Sequence, residues 1–274
     1  DRTKVGAGTV SNFPVLINRT DTDLQSKAQA SGNDILFTAA DGTKLSHEIE
    51  KYVSATGELV AWVKVPSLSA TANTDVYMYY GEAGASDQQN KTSVWSNGYA
   101  GVWHLKEDPS GTAPQMKDST SNANHGTSAG VMTSGDQVAG KVGGSLDFDG
   151  CSGCGLDDLI NAGSGSSLDD LGPLTYSAWI YPKSIGEGNF AKIIAKDTAG
   201  TVGLVQLALT HSNSAACTNP TNTFLFQKLA TGSLGKCAAS ETISYNSWQH
   251  IVATWDGSVN ASGVRIFKNG VEVT

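Results

Sequence analysis

Charge is scarce in this sequence. Only 16 % of its 274 residues are charged, and 18 Lys and Arg face 26 Asp and Glu, for a formal net charge of −8. No cluster of Lys and Arg occurs anywhere. A nucleic-acid partner is therefore not expected, because phosphate binding needs a basic face. Long apolar runs are missing too: nothing approaches the roughly 18–20 residues of a membrane helix, so no membrane insertion is expected. The opening DRTKVGAGTV lacks the apolar segment of a signal peptide, which fits a processed or excised chain. Helical periodicity is weak throughout. Its best instance is DTDLQSKAQA (21–30), where Asp21 or Thr22 would cap a short helix carrying Leu24 and Ala28 inward. The glucanase pattern E-x-D-x-x-E is absent as well, and HEIE at 47–50 lacks the second histidine of a zinc protease.

What is present is strand. Gly is abundant at 31, and short β-branched and aromatic runs lie between Gly, Asp, Ser and Asn. They include FPVLI (13–17), DILFT (34–38), LVAWVKV (59–65), DVYMYY (75–80), YAGVWHL (99–105), SLDFDG (145–150) and LTYSAWIYP (174–182). AKIIAKD (191–197), VGLVQLALT (202–210), TNTFLFQKL (221–229), SWQHIVATWDG (247–257) and VRIFKNGVEV (264–273) follow. In LVAWVKV, Val60, Trp62 and Lys64 take one face, Ala61, Val63 and Val65 the other. GEAGASDQQNKTS (81–93) has no period and reads as a linker or long loop. Asn269-Gly270 is a hairpin turn signal. This pattern predicts an all-β protein of two β-sandwich domains, 1–93 and 94–274. The four cysteines, Cys151, Cys154, Cys217 and Cys237, allow three pairings. Nearest-neighbour disulfides are expected, with Cys217–Cys237 closing a loop across two strand-like runs. That expectation implies an oxidising, extracytoplasmic setting. The rival reading is a zinc site using the Cys151-x-x-Cys154 spacing, which has no second half here.

Two groups of residues carry a resemblance. SGNDILFTAADGTKLSHEIEKY and GELVAWVKVPSLSATANTDVYMYYGEA, within residues 11–82, resemble an uncharacterised bacterial and archaeal surface-protein domain family. Glu82 stands where that family usually has Asn. VWHLKED, DSTSNANHGT, GKVGGSLDFDG, LTYSAWIYP, SWQHIVATWDG and IFKNGVEV follow in order over 100–274. They resemble the laminin-G-like, concanavalin A-type jelly-roll modules found in tandem with it, including in pilus-associated adhesin-like proteins. Against that family both chain ends look truncated, the C-terminal strands being missing, so completion by strand addition from another chain is an option. The resemblance implies a secreted or cell-surface, lectin-like module. It would be a non-enzymatic adhesion or assembly part of a prokaryotic pilus or filament protein. Its partner would be a surface glycan or a neighbouring protein subunit. The alternatives are an accessory carbohydrate-binding domain of a secreted glycoside hydrolase, and a filament subunit with no ligand.

Candidate chemistry is sparse. Asp147 and Asp149 stand at i and i+2 like a carboxylate pair, but with Leu146 and Phe148 turned inward they read as solvent- or turn-facing. His47, His104, His125, His211 and His250 have no motif around them. His104 and His250 lie in strand runs near Trp103 and Trp248 and read as packed and hydrogen-bonded. DSTSNANHGT brings Asp118, Asn122 and Asn124 onto one turn, the oxygen-rich chemistry a hard cation needs. The resemblance implies a structural calcium there, with an aspartate as ligand. The other reading is an Asx-turn, in which these side chains satisfy backbone N–H groups. For sugar stacking, Trp62, Trp103, Trp179 and Trp255 read as core, whereas Trp95, with Tyr99 close by, is expected to be exposed.

Overall fold

Alternation in the strands and Gly- or Asn-bearing turns between them leave the chain one economical way to bury its apolar faces, as sheets packed on sheets. The computed structural model describes residues 1–6, 8–149, 157–169, 172–186, 189–196, 204–210, 217–218, 220–229 and 234–274. Cys151, Cys154 and His211 lie outside the described residues. The chain divides into two compact units, Asp1–Ser167 and Leu168–Thr274. Residues 94–167, read from the sequence as the start of the second domain, thus lie in the first unit.

In the N-terminal unit the elements are β1 (Thr9–Thr20), α1 (Thr22–Lys27), β2 (Leu36–Ala39), β3 (Lys44–Leu45), β4 (His47–Val53), β5 (Glu58–Ser69) and β6 (Val76–Tyr79). They are followed by α2 (Lys91–Val94), β7 (Thr127–Ala129), β8 (Gln137–Ala139), β9 (Gly144–Leu146) and β10 (Leu159–Asn161). One antiparallel sheet runs β1-β5-β4 and another β3-β2-β6, with small pairs β10-β7 and β8-β9. Ala61, Val63 and Val65 turn into a core with Phe37, Leu45, Ile35 and Leu24, as the alternation of LVAWVKV predicts. Asp21 caps α1 by accepting from Asp23 N–H, and Leu24 is fully buried. Gly57 closes the β4–β5 turn at φ +70°, where a Cβ would collide with the carbonyl of Asp21.

The linker-like stretch after β6 is pinned along the sheet. Gln88 N–H donates to the Asn33 carbonyl, Asn90 N–H to that of His47, and Ile49 N–H to Gln89 Oε1. YAGVWHL does not form the expected strand; only Trp103 makes a bridge, to Asp118. Val102 N–H instead donates to the Asp118 carboxylate, and Leu105 takes a positive φ of 55°, which breaks any ladder. Phe148 is likewise 48 % exposed rather than inward, because β9 ends at Leu146 and the period lapses there.

The C-terminal unit holds β11 (Leu174–Ile180), β12 (Phe190–Lys196), β13 (Leu204–Thr210), β14 (Thr223–Leu229), β15 (Leu234–Cys237), β16 (Gln249–Trp255), β17 (Val264–Lys268) and β18 (Val271–Glu272). Two sheets, β11-β16-β17-β18 and β12-β13-β14-β15, share one core. Val205, Leu207, Phe224 and Phe226 come from one sheet, Ile251, Ala253, Trp255 and Ile266 from the other. That is a β-sandwich. Asn269 and Gly270 form the expected two-residue turn, both at positive φ. Cys217 and Cys237 are joined as expected, with Cα atoms 5.9 Å apart.

Candidate functional site

The most concentrated chemistry in the N-terminal unit begins on β4. His47 and Ile49 face the core side, so Glu48 and Glu50 project from the opposite face of the strand. A β-bulge between Ile49 and Lys51 leaves Glu50 unpaired in the ladder and re-aims its side chain. Both glutamates are buried, at 5 % and 7 % exposure. Burial without partners would be prohibitive for carboxylates, and each is supplied with donors. Glu48 Oε2 accepts from Trp95 Nε1 at 2.6 Å and from His104 Nε2 at 3.1 Å. Its Oε1 accepts from Ser119 Oγ at 2.6 Å. Glu50 Oε2 accepts from Trp62 Nε1 at 2.6 Å and faces His104 Nδ1 at 3.3 Å. Lys106 Nζ donates to the Glu50 backbone carbonyl at 2.7 Å.

His104 is therefore an imidazolium with one N–H toward each carboxylate. Burial alone would push its pKa down, but the hydrogen bonds to Glu48 and Glu50 more than reverse that and raise it to about 9. Burial would push Glu48 up. The contacts from His104, Ser119 and Trp95 overcome this and hold it at about 2, and Glu50 is lowered in the same way. Rings enclose the ions: Trp62 meets Trp95 edge-on at 5.3 Å, and Tyr99 meets Trp95 at 5.2 Å. Gly143, at φ +59°, lies against Glu50 where a Cβ would strike the carboxylate. The cluster bounds a polar cleft of about 430 Å³ whose rim carries Asp87, Lys91, Glu107 and Lys117. Chemically it is a clamp. It fastens the 95–119 segment to the outer face of β4, and its acids and base are ionised and committed to one another near neutral pH.

Trp95, expected to be exposed, is 6 % exposed; its indole N–H is spent on Glu48, so its ring offers no open stacking face. Tyr99 remains 37 % exposed. In the sequence HEIE reads as a strand and as an incomplete protease motif, and neither reading marks the glutamate pair. The available signal was two acids at i and i+2 inside a strand run.

The Asp118 loop is arranged as an Asx-turn. Asp118 is 1 % exposed. Its Oδ1 accepts from the N–H groups of Val102 at 3.0 Å and Thr120 at 2.9 Å. Its Oδ2 accepts from Thr120 Oγ1 at 2.8 Å and Asn124 N–H at 2.9 Å. The Asn122 and Asn124 amides donate to the Ala100 carbonyl at 3.0 and 3.1 Å, and Asn124 also donates to Ser167 Oγ at 2.9 Å. His125 Nδ1 accepts the Asp118 N–H at 3.0 Å. A calcium ion needs free oxygens, and both carboxylate oxygens of Asp118 are engaged by donors, so Asp118 as arranged does not fit one. Among the described residues no group of three or more His, Cys, Asp or Glu side chains is placed to hold a metal.

The C-terminal unit offers a different surface. β11 and β16 pair so that Trp179 faces His250, on the side away from the core residues Ile251 and Ala253. Trp179, expected in the core, is 43 % exposed, whereas Trp255, on the inward side of β16, is 6 % exposed. Two residues along, Tyr181 meets Trp248 edge-on at 5.6 Å, while Trp179 lies 5.1 Å from the His250 ring. Tyr181 is also 43 % exposed. Ser177 Oγ and His250 Nε2 share a hydrogen bond of 2.9 Å. Burial pushes the His250 pKa down, which leaves the ring neutral at pH 7. The result is an open sheet face of aromatic rings and neutral hydrogen-bonding groups.

Residues 31–113 match the family profile of a domain of unknown function, DUF2341. Residues 155–274 match that of the concanavalin A-like lectin/glucanases superfamily. The chain carries a DUF2341 domain followed by a concanavalin A-like domain. Neither the curated proteins nor the solved structures yield a match. The glutamate pair, Trp62, Trp95 and His104 fall inside the DUF2341 match, while Ser119 lies beyond it. The aromatic face falls wholly within the concanavalin A-like match.

Proposed function

We propose that this chain is an extracellular, non-enzymatic adhesion or assembly module that binds glycans on the aromatic face of its concanavalin A-like domain. The observation that carries the reading is the pairing of Trp179 with His250 and of Tyr181 with Trp248 on an exposed sheet face. Exposed rings supply a flat apolar surface for the C–H face of a pyranose. Ser177 and neutral His250 supply hydrogen bonds to its hydroxyls, the combination of apolar wall and few polar groups typical of small-ligand sites. A superfamily of lectins and glucanases fits a carbohydrate-binding or adhesion-type module. The Cys217–Cys237 disulfide supports an oxidising, extracytoplasmic setting. The clamp supports a non-enzymatic role, since its ionisable groups are held far from neutrality while general acid–base work wants a pKa near the working pH.

A glycan array probed with the intact chain, followed by calorimetry on the best hits, tests this. Trp179→Ala and Trp248→Ala should each weaken binding about tenfold or more, equivalent to about 1.4 kcal/mol, with the melting temperature of the unit little changed for Trp179→Ala. Binding that survives both substitutions would sink the aromatic-face reading. Turnover of a polysaccharide would make the protein an enzyme instead.

A further inference from the structure

His47 opens β4 on its core side, and neither of the interactions described above uses it. It is fully buried, its ring sits edge-on to Phe37 at 5.2 Å, and its backbone partner on β5 is Val63. Neither ring nitrogen makes a formed hydrogen bond. The backbone of Leu45 and Ile35 lies near enough only to soften the burial, and the charged groups that face the ring are Lys44 on β3 and Asp87 in the segment after β6. Burial and Lys44 work against a proton here, with Asp87 opposing them weakly. A neutral imidazole costs the core one unpaired donor. An imidazolium between two packed sheets would cost far more.

We propose that His47 makes the N-terminal unit acid-opening: its ring takes a proton only when β4 parts from the β3-β2-β6 sheet. The unfolded or opened chain then binds a proton that the closed one does not, so the closed form weakens as pH falls below the ordinary histidine value of 6.5. It keeps weakening until the pH reaches the depressed value of the closed form. One such group shifts the opening equilibrium by up to about tenfold per pH unit. The clamp does not interfere in this interval. His104 is already protonated below 6.5, and Glu48 does not begin to lose its advantage until about 4.5.

Hydrogen exchange of the intact chain, corrected for the intrinsic pH dependence and read from peptides covering β2, β3 and β4, is the test. Protection should fall by up to about tenfold per unit as the pH drops below about 6.5, separately from the loss above 6.5 that deprotonation of His104 in the clamp produces. His47→Phe should flatten that dependence while leaving His104 and His125 in place, and His47→Gln serves the same purpose if the phenylalanine does not pack. A slope below pH 6.5 that persists in the folded variant, or wild-type protection that does not fall below pH 6.5, would overturn the proposal. So would an imidazole resonance of His47 that titrates with an ordinary pKa while protection stays constant.

Discussion

Replacing His104 by Gln tests the clamp most directly. The substitution keeps an amide NH2 that can still donate but removes the positive charge between Glu48 and Glu50. Two carboxylates at 5 % and 7 % exposure would then rely on Trp95, Ser119 and Trp62 alone. Breaking a buried ion pair from one side costs about 3–5 kcal/mol, a large share of the 5–15 kcal/mol typical of a whole domain. The shift of the His104 pKa gives a second figure. His104 rises from 6.5 to about 9 on folding, which corresponds to about 3 kcal/mol. Glu48 falls from 4.5 to about 2, and because the two describe one shared interaction they are not summed. For a base with a raised pKa the contribution is complete below 6.5 and is lost as pH climbs toward 9. For an acid with a lowered pKa it is complete above 4.5 and is lost as pH drops toward 2. The clamp therefore stabilises most between about pH 4.5 and 6.5. Urea unfolding followed by tryptophan fluorescence suits the case, since Trp62 and Trp95 both bond the carboxylates. Wild type should lose stability from about pH 6.5 to 9 and His104→Gln should not. A variant destabilised by less than about 1 kcal/mol, with the alkaline slope intact, would refute the ion-pair assignment.

Other outcomes follow from single features. Reducing the Cys217–Cys237 bridge, or replacing both cysteines by Ala, should destabilise the C-terminal unit by about 3 kcal/mol, the chain-entropy value for a loop of this size, measurable by calorimetry with and without reductant. Asp118→Ala removes an acceptor of four hydrogen bonds and should cost roughly 2–4 kcal/mol. Wild type should melt at the same temperature in calcium and in chelator; a calcium-dependent rise lost in Asp118→Ala would reinstate the metal reading. Gly57→Ala should destabilise the N-terminal unit by more than about 1 kcal/mol, because it adds a Cβ at φ +70° against the Asp21 carbonyl. Denaturant midpoints decide it.

Much of the scaffold could be read from local pattern. The alternation of LVAWVKV assigned its two faces, Asp21 and Leu24 marked the one longer helix of the N-terminal unit, and Asn269-Gly270 marked a hairpin. These are short-range effects of Cβ direction, capping and positive φ, and they act within a few residues. Strand parity failed where the strand itself failed. Phe148 follows the end of β9, and YAGVWHL gives its backbone donors to Asp118 rather than to a ladder. Tryptophans were the hardest to place. Their size suits a core and a binding face equally, so Trp95 and Trp179 exchanged places relative to expectation.

Composition and periodicity by themselves determined that this chain is built from sheets, with few charges to spare. They could not determine which polar groups meet. Glu48, Glu50, Trp62, Trp95, His104 and Ser119 are spread over 71 positions and acquire their chemistry only by converging where the glutamates are buried and each charge needs a partner. The same holds for Trp179 and His250, brought face to face by β-pairing across 71 residues. Charge state and exposure depend on neighbours in space, and only the tertiary structure supplies those.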